Sequence, residues 1–302
     1  MELNETRTPR HVDANARKRS SATAVRILLA GLLCAAAAFG GAAALDDPRI
    51  HELLDIRIGT APRAVGVAGN DGAQPASVAP ETPPPGFEEA DEPLSTPARP
   101  AVASDSYRFL AVNGDGSPVG YSPCRPLHYV VNAALAPAGA EHLVPDAIST
   151  ISAATGITFV YDGTTAEQPS AQRRPYQPEA YGERWAPLLI SWTTPEAAPQ
   201  LKGKVIGTGG STHFGYDGGP KTFVTGGLDL DAPQIANELQ HPDGPMYATA
   251  VILHELSHVM GLDHVEDHTQ LMYPEIGLPE GLSDGDLNGL FQLSKVPCRK
   301  DL

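Results

Sequence analysis

Apolar and polar positions along the second half of the chain predict a short series of strands and helices. Runs that read as strands lie at Leu127–Asn132, Ile157–Tyr161, Leu188–Trp192, Lys204–Ile206 and Thr222–Leu230. Runs that read as helices lie at Leu143–Ala154, which stops before Gly156, at 246–260, and at Ser283–Leu293. A strand, a helix, further strands and two last helices together predict a small α+β domain.

The first half of the chain is patterned differently. An uncharged apolar run, Ile27–Leu45, follows the basic segment 1–26 and is long enough to approach a membrane span. Its small residues offer an Ala-x-Ala cleavage site, so a cleaved signal peptide and an uncleaved signal anchor both remain open. Either one predicts export, and therefore an extracellular protein that is secreted or tethered to the membrane.

Residues 46–105 are rich in Ala, Pro, Gly and acidic side chains, a composition that cannot bury enough apolar surface to fold. We expect a disordered spacer there. The folded domain is expected to span residues 106–299, with Cys124 near its start and Cys298 near its end. In an oxidising compartment these two cysteines can pair and join the ends of the domain; the alternative is two free thiols.

Candidate chemistry is concentrated after the apolar run Met246–Leu253, where the spacing His-Glu-x-x-His-x-x-Gly-x-x-His occurs. On a helix, His254 and His258 lie one turn apart on one face, so both imidazoles can bind the same zinc ion. Glu255 is turned about 100° away from His254. It can therefore stand beside the metal as a base without binding it.

A third histidine reaches the same ion only if the helix ends. Gly261 is suited to ending it, because glycine tolerates a positive φ and commonly follows the last turn of a helix. His264 can then approach the ion from a loop. Three protein ligands leave a fourth position for water or substrate, which is typical of a catalytic zinc site rather than a structural one.

This pattern and the following Leu271-Met272-Tyr273-Pro274 resemble the metzincin zinc endopeptidases, in particular the matrixin-like branch of secreted bacterial members. Segments 121–132 and 282–290 are similar to the opening strand and the C-terminal helix of that branch. The resemblance implies a zincin-like fold, with a twisted mixed β-sheet, an active-site helix and a C-terminal helix.

The resemblance also implies roles for single residues. The zinc ligands would be His254, His258 and His264, with Glu255 as the catalytic base. Met272 would form a hydrophobic floor below the metal, Pro274 would line a substrate pocket, and Asp286 would be structural. The family's C-terminal helix often opens with two adjacent aspartates, and here Gly285 replaces the first of them. In the family that aspartate can pair with a processed amino terminus, so the resemblance does not carry this activation device over.

The formal net charge of −15 argues against nucleic acid and against anionic membrane surfaces as partners. We expect a monomer that acts on a peptide or protein substrate and meets a membrane only through its N-terminal segment. Asp229 and Asp231 alternate with leucines and leave a calcium site open, against the alternative of two solvated carboxylates. The glycine-rich stretch 207–212 reads as a turn or bulge, and the strand 222–230 as the exposed edge that pairs with substrate.

These observations predict an extracellular zinc-dependent endopeptidase that hydrolyses peptide bonds with metal-activated water and Glu255 as the general base. The alternative from another class is a non-catalytic binding or adhesion module of zincin fold on the cell surface. Hydrolysis of a non-peptide amide is a third reading that spacing alone leaves open.

Overall fold

A computed structural model describes residues 81–216, 219–277 and 281–302. The predicted basic segment 1–26, the signal or anchor segment 27–45 and most of the predicted spacer lie outside these residues. Among the helices that are described, none has the length and apolar character needed to span a bilayer.

Within the described residues, seven strands form two sheets. They are β1 (Arg108–Phe109), β2 (Leu127–Asn132), β3 (Phe159–Thr164), β4 (Leu188–Thr193), β5 (Gly207–Phe214), β6 (Thr222–Asp231) and β7 (Leu262–Asp263). The main sheet has the order β3-β2-β4-β6-β5, in which only β5 runs antiparallel to its neighbour. The short strands β1 and β7 pair separately and antiparallel.

In the part of the chain that the structure describes, five α-helices accompany the sheets: α1 (Leu143–Thr155), α2 (Pro178–Tyr181), α3 (Ala232–Glu238), α4 (Gly244–Met260) and α5 (Asp284–Leu293). The apolar residues of α4 and α1 join those of β2, β4 and β6 in one buried core. The mixed sheet with helices packed against it confirms the predicted α+β, zincin-like fold class. Helix α1 ends at Gly156, whose φ of 72° is left-handed, as the sequence predicts.

The sequence predicted strand 222–230 as the exposed edge of the sheet, and this prediction is wrong. Strand β6 lies inside the sheet between β4 and β5, and the edge is formed by β5. The sequence misled because β5 contains three glycines in its first four residues, Gly207, Gly209 and Gly210, and glycine is rare in strands. Residues 204–206, which read as a strand, form the connection that leads into β5.

The predicted spacer is also too long at its C-terminal end. Residues 84–107, which we call the strap, lie against the domain. The Glu89 side chain is fully buried, pairs with Arg125 at 3.0 Å and accepts a hydrogen bond from the Arg299 amide at 2.6 Å. A buried carboxylate is stable only with such partners. Because the partners come from distant segments, the local composition of the strap gave no sign of them.

A disulfide joins Cys124 to Cys298 across 174 residues, with the two Cα atoms 5.4 Å apart. The paired form is therefore the one present, and the free-thiol alternative is not. The chain beyond Cys298 also belongs to the fold: the carbonyl oxygen of Leu302 accepts hydrogen bonds from the Gly86 amide at 2.9 Å and from Arg125 at 2.7 Å. The folded part thus extends past both predicted boundaries, 106 and 299.

Candidate metal centre

The three predicted histidines converge on one point. The Nε2 atoms of His254 and His258 each lie 3.1 Å from the Nε2 atom of His264. Two nitrogens that each sit about 2.0–2.1 Å from one zinc ion are at most about 4.2 Å apart, so the observed spacing fits a shared ion. Within the described residues, these three side chains form a group able to hold a metal ion.

Backbone carbonyls orient two of the rings. The Nδ1 atom of His254 lies 2.7 Å from the Leu271 oxygen, and that of His258 lies 2.8 Å from the Leu262 oxygen. Only a protonated Nδ1 can donate to a carbonyl, so each Nε2 keeps its lone pair for the metal. Burial lowers the pKa of His258 to about 4, with a further contribution from His264. The imidazoles are thereby held in the neutral form that binds metal.

Helix α4 ends where the third ligand requires it to end. Gly261 has a φ of 120°, and its amide donates to the His258 oxygen at 3.0 Å. A Cβ atom at this position would lie 2.9 Å from the Phe223 ring and 3.1 Å from the Val119 oxygen. Glycine is therefore required both by the backbone conformation and by the space. The turn leads into β7, which places His264 opposite the ligands of the helix.

Asp286 of α5 anchors the turn that contains Met272. Its buried carboxylate accepts hydrogen bonds from the amides of Leu271 at 2.8 Å, Met272 at 3.2 Å and Ser283 at 2.8 Å. Because the Leu271 oxygen in turn accepts from His254, the carboxylate of α5 supports a metal ligand through the backbone. The Met272 side chain is buried in the core, and Pro274 is exposed two residues further on. The pocket role of Pro274 stays a prediction.

The Glu255 carboxyl group lies between α4 and the edge strand β5. It is half-buried, and it accepts a hydrogen bond from the backbone N–H of Gly209. Burial raises the pKa of Glu255 to about 8, against the opposing effect of that hydrogen bond. The buried carboxyl group therefore holds a proton more tightly than an exposed glutamate does.

Two glycines of β5 explain how the helix comes this close. A Cβ atom on Gly209 would lie 2.1 Å from the backbone oxygen of Glu255, and one on Gly207 would lie 2.9 Å from its Cγ atom. Both glycines occupy the same face of the strand, because they are two residues apart. Sequence reasoning missed these residues, although glycines at alternate positions before a zinc motif are a usable signal of close backbone approach.

The predicted calcium ligands have protein partners instead. Asp231 caps α3 by accepting the Gln234 amide at 2.9 Å, and Asp229 accepts a hydrogen bond from Gln200 at 2.7 Å. Nothing in the described part of the chain gathers the two carboxylates around a common cation position. Calcium therefore stays a prediction without structural support.

The comparison with protein families agrees with this centre. Residues 192–294, from the end of β4 to the end of α5, match the family model of the matrixin peptidases. Among solved structures the chain is similar to high choriolytic enzyme 1, a hatching-enzyme zinc protease of the medaka fish Oryzias latipes. That match has 14% sequence identity, covers 67% of this chain and 100% of the other, and has a TM-score of 0.29. No curated protein matches the chain.

The histidine centre, the neighbouring glutamate and the matched family model define the class of the protein, which is a zinc metalloendopeptidase. Within that class, residues 192–294 are similar to the matrixin peptidases, as the motif and the C-terminal helix predicted. The family implies a catalytic zinc, and the spacing of the three Nε2 atoms fits one.

Proposed function

We propose that the protein is an extracellular endopeptidase in which His254, His258 and His264 hold the catalytic zinc and Glu255 is the general base. The observation that carries this proposal is the convergence of three neutral imidazoles next to a carboxyl group that does not join them. Bound zinc supplies Lewis acidity, which polarises a carbonyl group and makes a water molecule acidic near neutral pH.

Glu255 is suited to the two proton transfers that peptide hydrolysis needs. Its carboxylate takes a proton from the attacking water and later gives it to the leaving nitrogen. Burial raises the pKa of Glu255, which favours holding that proton between the two transfers. The amide of Gly209 holds the carboxyl group by a hydrogen bond.

Substrate is proposed to bind along β5. This strand pairs with β6 on one side only, so among the described residues its other edge offers unpaired backbone groups. An extended peptide can add to that edge through main-chain hydrogen bonds. Because Gly209 of β5 also contacts Glu255, a peptide bound there passes directly beside the base.

Two features support an extracellular location. The Cys124–Cys298 disulfide is typical of proteins that fold in an oxidising compartment. The apolar run Ile27–Leu45 after a basic segment is typical of an export signal. Both point outside the cell, either as a secreted enzyme or as one tethered through its N-terminal segment.

Cleavage of a degenerate quenched-peptide library by the purified protein tests this proposal. We expect cleavage that stops when a chelator removes the metal and returns when zinc is added, because the histidines and Glu255 act only together. Mass spectrometry of the products would give the cleavage preference. Stoichiometric zinc with no cleaved peptide would instead favour the non-catalytic binding or adhesion module.

A further inference from the structure

The strap reaches the loop that connects the third histidine to Met272. The Ser106 hydroxyl donates to Asp267 Oδ2 at 2.7 Å, and Gln270 donates to the same oxygen at 3.1 Å. Gln270 is buried, and its Oε1 atom accepts the Gly285 amide of α5 at 2.7 Å. The Asp267 carboxylate is thus bound by the strap through Ser106 and linked to α5 through Gln270.

Two glycines on α5 leave room for the strap to pack against the helix. A Cβ atom on Gly285 would lie 2.2 Å from the Ser106 carbonyl oxygen, and one on Gly289 would lie 2.9 Å from the Tyr107 Cβ atom. The two glycines are four residues apart and therefore share one face of the helix. Gly285 stands where the family often has an aspartate, and the reason is physical: the strap occupies the space that any side chain there would need.

Backbone hydrogen bonds connect the loop around Asp267 to the segments that carry the histidines. The Val265 amide donates to the Met272 oxygen at 3.0 Å, and the Gln270 amide donates to the Asp267 oxygen at 3.0 Å. These bonds close the loop between His264 and the segment that supports His254. A shift of Asp267 in the middle of this loop would therefore change the positions of both His264 and His254.

We propose that Ser106 is a positioning residue of the metal centre, and that the strap is a working part of the mature domain. In this chain the strap, rather than a newly released amino terminus, fixes the loop against α5. It follows that processing that removes Ser106 weakens the zinc site. The inference rests on the zinc site of the proposed function.

Zinc affinity measured by competition with a chelator tests the role of Ser106. Ser106→Ala is expected to weaken zinc binding about tenfold, the lower end of what loss of a supporting hydrogen bond around a metal costs. Ser106→Thr keeps the hydroxyl group and should restore most of the affinity. Asn288→Ala removes a different strap contact, the 2.7 Å bond to the Val102 oxygen, and should leave zinc affinity unchanged.

A second pair of variants reaches the same contact without changing Ser106. Gly285→Ala forces away the Ser106 carbonyl, and also Gln270 Oε1, which lies 2.6 Å from the added Cβ atom, and should also weaken zinc binding. Gly281→Ala is its control, because nothing lies within 4 Å of a Cβ atom there. If wild-type protein binds zinc and both Ser106→Ala and Gly285→Ala bind it equally well, the inference is refuted while the proposed function stands. If wild-type protein binds no zinc, the proposed function itself fails.

Discussion

Replacing Glu255 by glutamine is expected to abolish peptide hydrolysis while zinc remains bound. Glutamine has the same shape as glutamate and can still accept the hydrogen bond from the Gly209 amide. It cannot take a proton from the attacking water at any pH. The contacts among the three histidine Nε2 atoms do not involve residue 255, so the metal ligands keep their positions.

General-base catalysis contributes about 10²–10⁴-fold to rate, and we expect kcat/KM of Glu255→Gln to fall by about 10³-fold or more. The measurement is steady-state cleavage of a library-derived peptide, with zinc content determined on the same samples. Glu266→Gln is the control, because it removes an exposed carboxylate near His264 that lies outside the centre. Turnover by Glu255→Gln within about tenfold of wild type would show that another group is the base.

Gly209→Ala is expected to have the second largest effect. The added methyl group would lie 2.1 Å from the Glu255 backbone oxygen and 2.8 Å from its carbonyl carbon. Backbone atoms in the middle of a helix and a strand cannot move aside as a flexible side chain does, so α4 and β5 must separate. Overpacking of this kind costs about 1–3 kcal/mol of unfolding free energy, and we expect the upper end.

Activity should fall more steeply than stability. A displacement of about 1 Å at a reacting group can cost 10²-fold in rate, and separation of α4 from β5 moves Glu255 away from the strand that we propose binds substrate. Denaturant unfolding and kcat/KM are the two measurements. Gly210→Ala is a matched control, because its Cβ atom points to the other face of β5 and meets nothing within 4 Å. Equal behaviour of the two variants would contradict the close helix–strand contact.

The metal centre could be predicted from the sequence because its determinants are local. His254 and His258 are fixed by the period of one helix, and a glycine at 261 is enough to turn the chain toward His264. Local sequence patterns also predicted β2 and the end of α1. Ser283 and Asp286 at the start of α5 also carry a local signal, a capping box that the structure contains.

The parts that were missed or placed wrongly depend on contacts between distant segments. Strand β5 contains glycines because Gly207 and Gly209 face the backbone of α4, a reason that strand propensities do not include. The strap folds because Glu89 meets Arg125 and Arg299, which are far away in sequence. Gly285 departs from the family pattern because the Ser106 carbonyl occupies the space beside it, and the sequence alone does not show that contact.

The central claim is that three imidazole nitrogens share one zinc ion and leave a position open beside Glu255. X-ray absorption at the zinc edge tests this most directly on the purified protein. We predict three imidazole ligands at about 2.0–2.1 Å with at least one further light-atom ligand, and no sulfur ligand, because the three histidines supply the protein ligands. A spectrum with fewer than three imidazoles, or with a sulfur ligand, would contradict the account.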